Sequence, residues 1–346
     1  MPQTQETQKK NTNTKKRKSI IRSLKTVIFG EDELTEEIRR NIAPSDVVPE
    51  RAYLMKNVLI RSRELLDIFR FTLKYKKRSS SGMQFYGMRK YTPEDDASKI
   101  DWKTSVRMSA GHEKVDELYL KEYEEELDLA TFIMLDTSST MLFGTKACLK
   151  SDTAAIIAAT LAYAANAAKT EFGAAIFNDE IKVLHTPRRG EVQFHRFIDS
   201  VCDPKNYWGR CNMGKALEFV QESIGSRTLF IIISDFIDIN DDWYTSLKQC
   251  SEKFDSILGV MIRDPLDDHI PKGLGAMRVS FPYSKNGTEL NFDKIRDRYN
   301  EEAKRDEEKI KSMLNNVNAG FVKIDTTSDD IIRPFLEYFT LWALGK

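Results

Sequence analysis

The chain has 346 residues and an apolar fraction of 41%, enough for one large domain with a sizeable core and a smaller companion. Its 53 Lys and Arg balance 53 Asp and Glu, so no net field points toward nucleic acid or a membrane surface. Cys148, Cys202, Cys211 and Cys250 form no Cys-x-x-Cys pair, and His112, His185, His195 and His269 form no His-Glu-x-x-His, which argues against a zinc site and a disulfide framework. Reduced thiols fit a reducing compartment.

Residues 1–48 open with a basic tail of Gln, Asn, Thr and Lys that has almost nothing to bury. Within this region Ser19 to Gly30 alternates Ile20, Ile21, Leu24, Val27 and Ile28 with Arg22 and Lys25. Such an amphipathic segment can pack on its own domain or give peripheral contact with a membrane surface or a partner. The tail has no apolar core of a secretory signal, and no run reaches the roughly 18–20 apolar residues of a membrane helix. Ala154 to Ala168 comes nearest, interrupted by Thr160 and Asn166. A cytoplasmic protein is the expectation.

Residues 49–127 form the second region. Leu54, Val58, Leu59, Leu65, Leu66, Ile68 and Phe69 predict a helix from about Pro49 to Tyr75. From Lys76 to Glu126, short runs with Phe85, Tyr86 and Tyr91, a turn at Thr92-Pro93 and an acidic stretch predict a small, partly β subdomain.

Residues 128–346 are more regular. Strands are predicted at Leu129–Leu135, Phe172–Phe177, Ile181–His185, Thr228–Ser234, Ile257–Ile262 and Phe321–Ile324. Helices are predicted at Asp152–Lys169, Gly190–Val201, Gly214–Ile224, Trp243–Phe254 and Lys294–Asn315, with a closing helix carrying Ile332, Phe335, Phe339 and Trp342. The unbroken Phe230-Ile231-Ile232-Ile233 implies burial on both faces, the habit of a helix-covered parallel sheet. The class is α/β, a doubly wound, mostly parallel sheet with a smaller β-containing N-terminal subdomain.

The first strong strand ends in Asp136-Thr137-Ser138-Ser139-Thr140 and the second in Ser234-Asp235-Phe236. Ligands of open parallel sheets bind beyond the strands' carboxyl ends. Asp136, Ser138 and Thr140, spaced by two, can turn to one point, and Asp235 reaches it if the strands are neighbours. A carboxylate with hydroxyls is hard oxygen chemistry suited to Mg²⁺.

This pattern resembles the metal-ion-dependent adhesion site of von Willebrand factor A domains, Asp-x-Ser-x-Ser followed by a Thr and an Asp. Upstream, Arg89, Tyr91, Pro93, Asp95, Asp96, Ile100, Asp101 and Trp102 resemble the hallmark of the domain-of-unknown-function 58 family. The resemblance implies Mg²⁺ as cofactor, a MoxR-type AAA+ ATPase as partner, and a non-enzymatic adaptor role in assembling or activating client proteins. Three positions depart from the pattern. Glu94 stands for a Gly, Thr140 for the second Ser, and Cys211 for the Thr, with Asn212 beside it as an alternative oxygen donor. A thiol ligates Mg²⁺ poorly.

Other chemistries fit less well. Ser138 stands where a haloacid-dehalogenase-type phosphatase needs its acid, and neither a complete P-loop, a dinucleotide fingerprint nor a nucleophile elbow is present. The alternative is a nucleic-acid-associated protein using the basic tail and the Lys74–Lys90 segment, where Lys74, Lys76, Lys77, Arg78, Arg89 and Lys90 mix with aromatics. A solvated basic face is the simpler account of that segment. Trp102 and Trp342 read as core anchors, Asp95, Asp96 and Asp101 as turn-closing carboxylates, Cys148, Cys202 and Cys250 as packing residues in helices, and Arg305–Lys311 as a solvated helix face.

Overall fold

The computed structural model describes residues 48–72, 74–79, 84–92, 95–109, 118–145, 148–239, 242–279, 288–328 and 330–343. The tail, the Ser19–Gly30 segment, Pro93 and Glu94 lie outside them. The described chain divides into two compact units, one built from residues up to Arg70 together with those from Ala130 onward, the other from Phe71–Leu129.

Helix α1 (Arg51–Thr72) opens the larger unit and buries Leu54 and Val58, four residues apart on one face. The Arg51 guanidinium pairs with Asp199, and the Tyr53 hydroxyl meets the Cys148 thiol at 3.8 Å. The helix predicted to Tyr75 stops at Thr72 because Lys74 begins strand pairing. This division groups the helix with the larger sheet, whereas the sequence grouped it with the small β region as 49–127.

The smaller unit contains β1 (Lys74–Ser79), β2 (Gln84–Lys90), α2 (Trp102–Ser109) and β3 (Tyr119–Asp128). Its antiparallel sheet runs β1-β3-β2. The register sets Lys76, Lys77 and Arg78 opposite Glu126, Glu125 and Glu124. The family-motif residues are spent on local structure. Arg89 grips Asp95 with both terminal nitrogens, at 2.6 and 2.5 Å, and Asp95 also accepts from the Thr92 amide at 2.9 Å. Asp96 accepts from the Ser98 amide at 3.0 Å, and Asp101 accepts from the Thr104 amide at 3.2 Å and pairs with Lys121 at 2.9 Å. Half-buried Tyr91 donates its amide to the Leu118 carbonyl at 2.8 Å. Trp102 is no core anchor. It is 61% exposed.

The larger unit continues with β4 (Ala130–Asp136), α3 (Lys150–Ala167), β5 (Phe172–Phe177), β6 (Ile181–Arg188), α4 (Glu191–Val201), α5 (Met213–Ser223), β7 (Thr228–Ser234), α6 (Trp243–Lys253) and β8 (Ser256–Arg263). It ends with α7 (Pro265–Asp268), the hairpin β9 (Ala276–Val279) and β10 (Thr288–Asn291), α8 (Phe292–Asn316), β11 (Gly320–Asp325) and α9 (Arg333–Ala343). Six strands form one sheet in the order β11-β8-β7-β4-β5-β6, parallel except for β6. The antiparallel strand lies at the edge, where Pro187 costs no ladder bond. The hairpin falls in a stretch whose sequence reads as irregular.

Phe132, Met134, Phe230 and Ile232 line one face and pack with buried residues of α5, α6 and α8. The alternate residues Ile133, Leu135, Ile231 and Ile233, also fully buried, point the other way, where α3 covers β4, β7 and β8. The Ala-rich run that comes nearest to a membrane segment is this helix, buried nearly all round within the fold. Trp342 is half-buried against Phe339. Only Cys250 lies inside a helix; Cys148 sits in the bend before α3, and Cys202 caps the end of α4.

Candidate metal centre

β4 and β7 are parallel neighbours with Leu135 opposite Ile233, so both strands finish at the same edge. From β4 the sheet grows through β5 on one side and through β7 on the other, and the crevice outside the β4 and β7 ends is the topological switch point. Asp136 and Asp235 meet there, 1% and 0% exposed. Ser234 joins them, its hydroxyl donating to Asp136 Oδ2 at 2.6 Å while accepting from the Phe236 amide at 3.0 Å. The Ser138 amide donates to Asp136 Oδ1 at 2.8 Å. The Ser138 and Thr140 hydroxyls lie 3.1 Å apart, and Thr140 donates to Asp235 Oδ1 at 3.3 Å. The four residues read from sequence as one site are therefore one cluster.

The two residues at the pattern's Thr position make other bonds. Cys211 is buried in the cluster, but its thiol hydrogen-bonds the Asp136 carboxylate, and burial followed by Asp136 and Asp235 pushes its pKa well up. It is a protonated donor and offers no ligand for a hard cation. Asn212 turns its side-chain oxygen to the Lys215 amide as the cap of α5, so that oxygen serves the helix.

Lys150 has no place in the sequence expectation. It is 1% exposed, and its Nζ donates to Asp235 Oδ2 at 2.7 Å and to Asp267 Oδ2 at 2.9 Å. Burial pushes this ammonium's pKa down, but Asp235 and Asp267 outweigh it and the net shift is upward. A basic residue at the first position of a helix, against the dipole's preference, is the one sequence signal that could have flagged it. Asp136 lacks such a cation. Burial, then repulsion from Asp235, raises it to about 6 despite hydrogen bonds from Ser234 and Ser138.

A third loop closes the crevice. The Thr137 hydroxyl donates to the Asn206 carbonyl at 2.6 Å, the Trp208 amide to the Thr137 carbonyl at 3.2 Å, and Ser139 and Gly209 exchange bonds at 2.9 and 3.1 Å. Fully buried Asn178, at the end of β5, donates to the Trp208 carbonyl and accepts from the Asn212 amide at 2.7 Å. Trp208, Phe236 and Asp238 hold φ of 80°, 52° and 55°, left-handed conformations costing about 1–3 kcal/mol each. Such strain concentrates where a loop's shape serves a site.

The donor chemistry fits Mg²⁺ or Mn²⁺. Two carboxylates and two hydroxyls are all hard oxygens, and among the described residues one ammonium, that of Lys150, contacts the acid pair, through Asp235. Among the described residues no three His, Cys, Asp or Glu side chains converge to hold a metal ion, so a cation here needs the Ser138 and Thr140 hydroxyls as well.

The family described as "Protein of unknown function DUF58" matches residues 87–309. Uncharacterized proteins of Mycobacterium bovis and Mycobacterium tuberculosis are 26% identical over 186 residues, covering 53% of this chain and 56% of theirs. The chain thus spans about half the length of the curated relatives it matches. Among solved structures it is similar to a conserved hypothetical protein BatB from Bacteroides thetaiotaomicron, 13% identical with a TM-score of 0.43. An aerotolerance-related membrane protein from Bacteroides fragilis is similar at 12% and 0.42; each covers 63% of this chain and is itself covered completely. Among the described residues no helix is long and apolar enough to cross a membrane.

Proposed function

This chain belongs to the DUF58 family, and from that premise we propose that it is a non-enzymatic, partner-binding adaptor whose larger unit is a von Willebrand factor A-like domain. It acts with a MoxR-type AAA+ ATPase in assembling or activating client proteins, the partner that the family resemblance implies. One observation carries the binding role: two adjacent parallel strands deliver Asp136 and Asp235, with Ser138 and Thr140, to a single buried cluster at the sheet's switch point.

Asp136, Ser138, Thr140 and Asp235 would hold the Mg²⁺. When bound, the ion supplies a coordination position that a partner's carboxylate can fill. The protein provides the rest of the contact. Trp208, 39% exposed and with its backbone fastened to Thr137 and Asn178, offers an aromatic side chain to a partner.

Isothermal titration with Mg²⁺ and Mn²⁺ on wild type and Asp136→Ala tests the cation. Heat in the wild type that vanishes in the variant supports it; equal, negligible heats in both refute the metal-mediated form. Capture of the AAA+ ATPase that chelation and Trp208→Ala each weaken supports the partner assignment, and capture indifferent to both refutes this surface.

A further inference from the structure

Lys150 is a fully buried cation, 1% exposed. It begins α3, whose dipole opposes positive charge, and beyond the first turn, which also holds Ser151, Asp152 and Thr153, the helix is mostly Ala, Ile and Leu. Its ammonium nonetheless reaches two carboxylates that belong to different loops. Asp235 follows β7 and is one of the residues that would hold a divalent ion, whereas Asp267 lies in the turn after β8 and belongs to no such set.

Resting on the cation reading above, we propose that Lys150 is a resident cation that a divalent ion must displace from Asp235, and that the displacement passes through Asp267 to the Asp264–Asp268 turn. A divalent ion bound by Asp235 would share one carboxylate with an ammonium, in a pocket too buried for water to screen the repulsion. The turn is built to register the change. Asp267 Oδ2 accepts both Lys150 and the Asp264 amide, the latter at 3.0 Å. Asp264, fully buried, accepts from the Thr145 amide at 2.7 Å and the Thr326 hydroxyl at 3.3 Å. Tyr299 donates to the Asp267 carbonyl at 3.2 Å. These fixed anchors leave the Lys150 contact as the link that a cation alters. Leu266, Asp267 and Asp268 are partly exposed, so a partner can sense the turn. The resident ammonium also lets the fold close with Asp235 already paired.

NMR titration of the wild-type chain with Mg²⁺ tests this. Amides of 136–140, amides of 264 and 266–268 and the Lys150 side chain should shift with one midpoint. Shifts at 136–140 with Lys150 and 264–268 unmoved overturn the displacement but keep the cation site; shifts at 264–268 alone overturn it too, placing the ion elsewhere. No shift anywhere refutes both. Lys150→Gln, which keeps hydrogen-bonding capacity without charge, should bind Mn²⁺ at least tenfold more tightly by titration calorimetry, and equal or weaker binding overturns the competition.

Discussion

Replacing Lys150 by Met isolates the energetic role of the ammonium in the metal-free protein. Removing one member of a buried ion pair typically costs about 3–5 kcal/mol, because the partner charge is left without compensation. Here two carboxylates lose their cation, and they differ in rescue. Asp267 is 11% exposed and can gain water, while Asp235 is 0% exposed and keeps only the Ile237 amide at 3.0 Å and the longer Thr140 contact. Methionine also avoids the desolvation cost of an ammonium, so the expected loss is near the lower end, about 3 kcal/mol. At about 2–4 °C per kcal/mol this lowers Tm by roughly 6–12 °C. Because the folded state raises the Lys150 pKa, wild-type stabilisation is complete below the ordinary lysine range of about 10 and is lost only above it. The penalty should therefore be constant from neutral to mildly alkaline pH. Urea unfolding followed by far-ultraviolet circular dichroism in EDTA measures it. Lys150→Met with Asp235→Asn should be less destabilised than Lys150→Met alone, since the stranded charge is gone, with a coupling of about 2 kcal/mol. A loss under about 1 kcal/mol, or strict additivity, would refute the resident-cation account.

Three other outcomes follow from the geometry. Asp136 titrates in the fold near 6 against an ordinary value of 3.8, so in EDTA ionisation weakens the fold as pH rises from about 4 to 6; urea midpoints should fall over that window, and Asp136→Asn should remove the trend. A Cβ at Gly144 would meet the Cys148 carbonyl oxygen at 2.4 Å and Leu149 Cα at 2.9 Å. Both are backbone atoms, so Gly144→Ala must shift the segment leading into Lys150, with an expected loss of about 1–3 kcal/mol by chemical denaturation. Trp102→Ala should change stability by less than about 1 kcal/mol in the same assay, because its indole is mostly in solvent.

The sequence by itself determined the layers. Phe230-Ile231-Ile232-Ile233 implies a strand covered on both sides, and Asp136 with its hydroxyls at spacing two gains its meaning from standing directly after another such strand. These are local statements about period and composition, and the strand positions follow them closely. Trp102 shows where locality fails: an aromatic beside buried Ile100 resembles a core residue, yet its indole is 61% exposed. The Lys150 contacts are long-range in the same sense. Lys150 meets Asp235 across 85 residues and Asp267 across 117, and no periodicity reports which loop ends share an edge. Sheet order decides that, through which strands pair side by side. Tertiary structure alone turned an isolated lysine into the counter-charge of the site and Cys211 from a failed ligand into a hydrogen-bond donor, because burial makes each charge depend on its nearest partners.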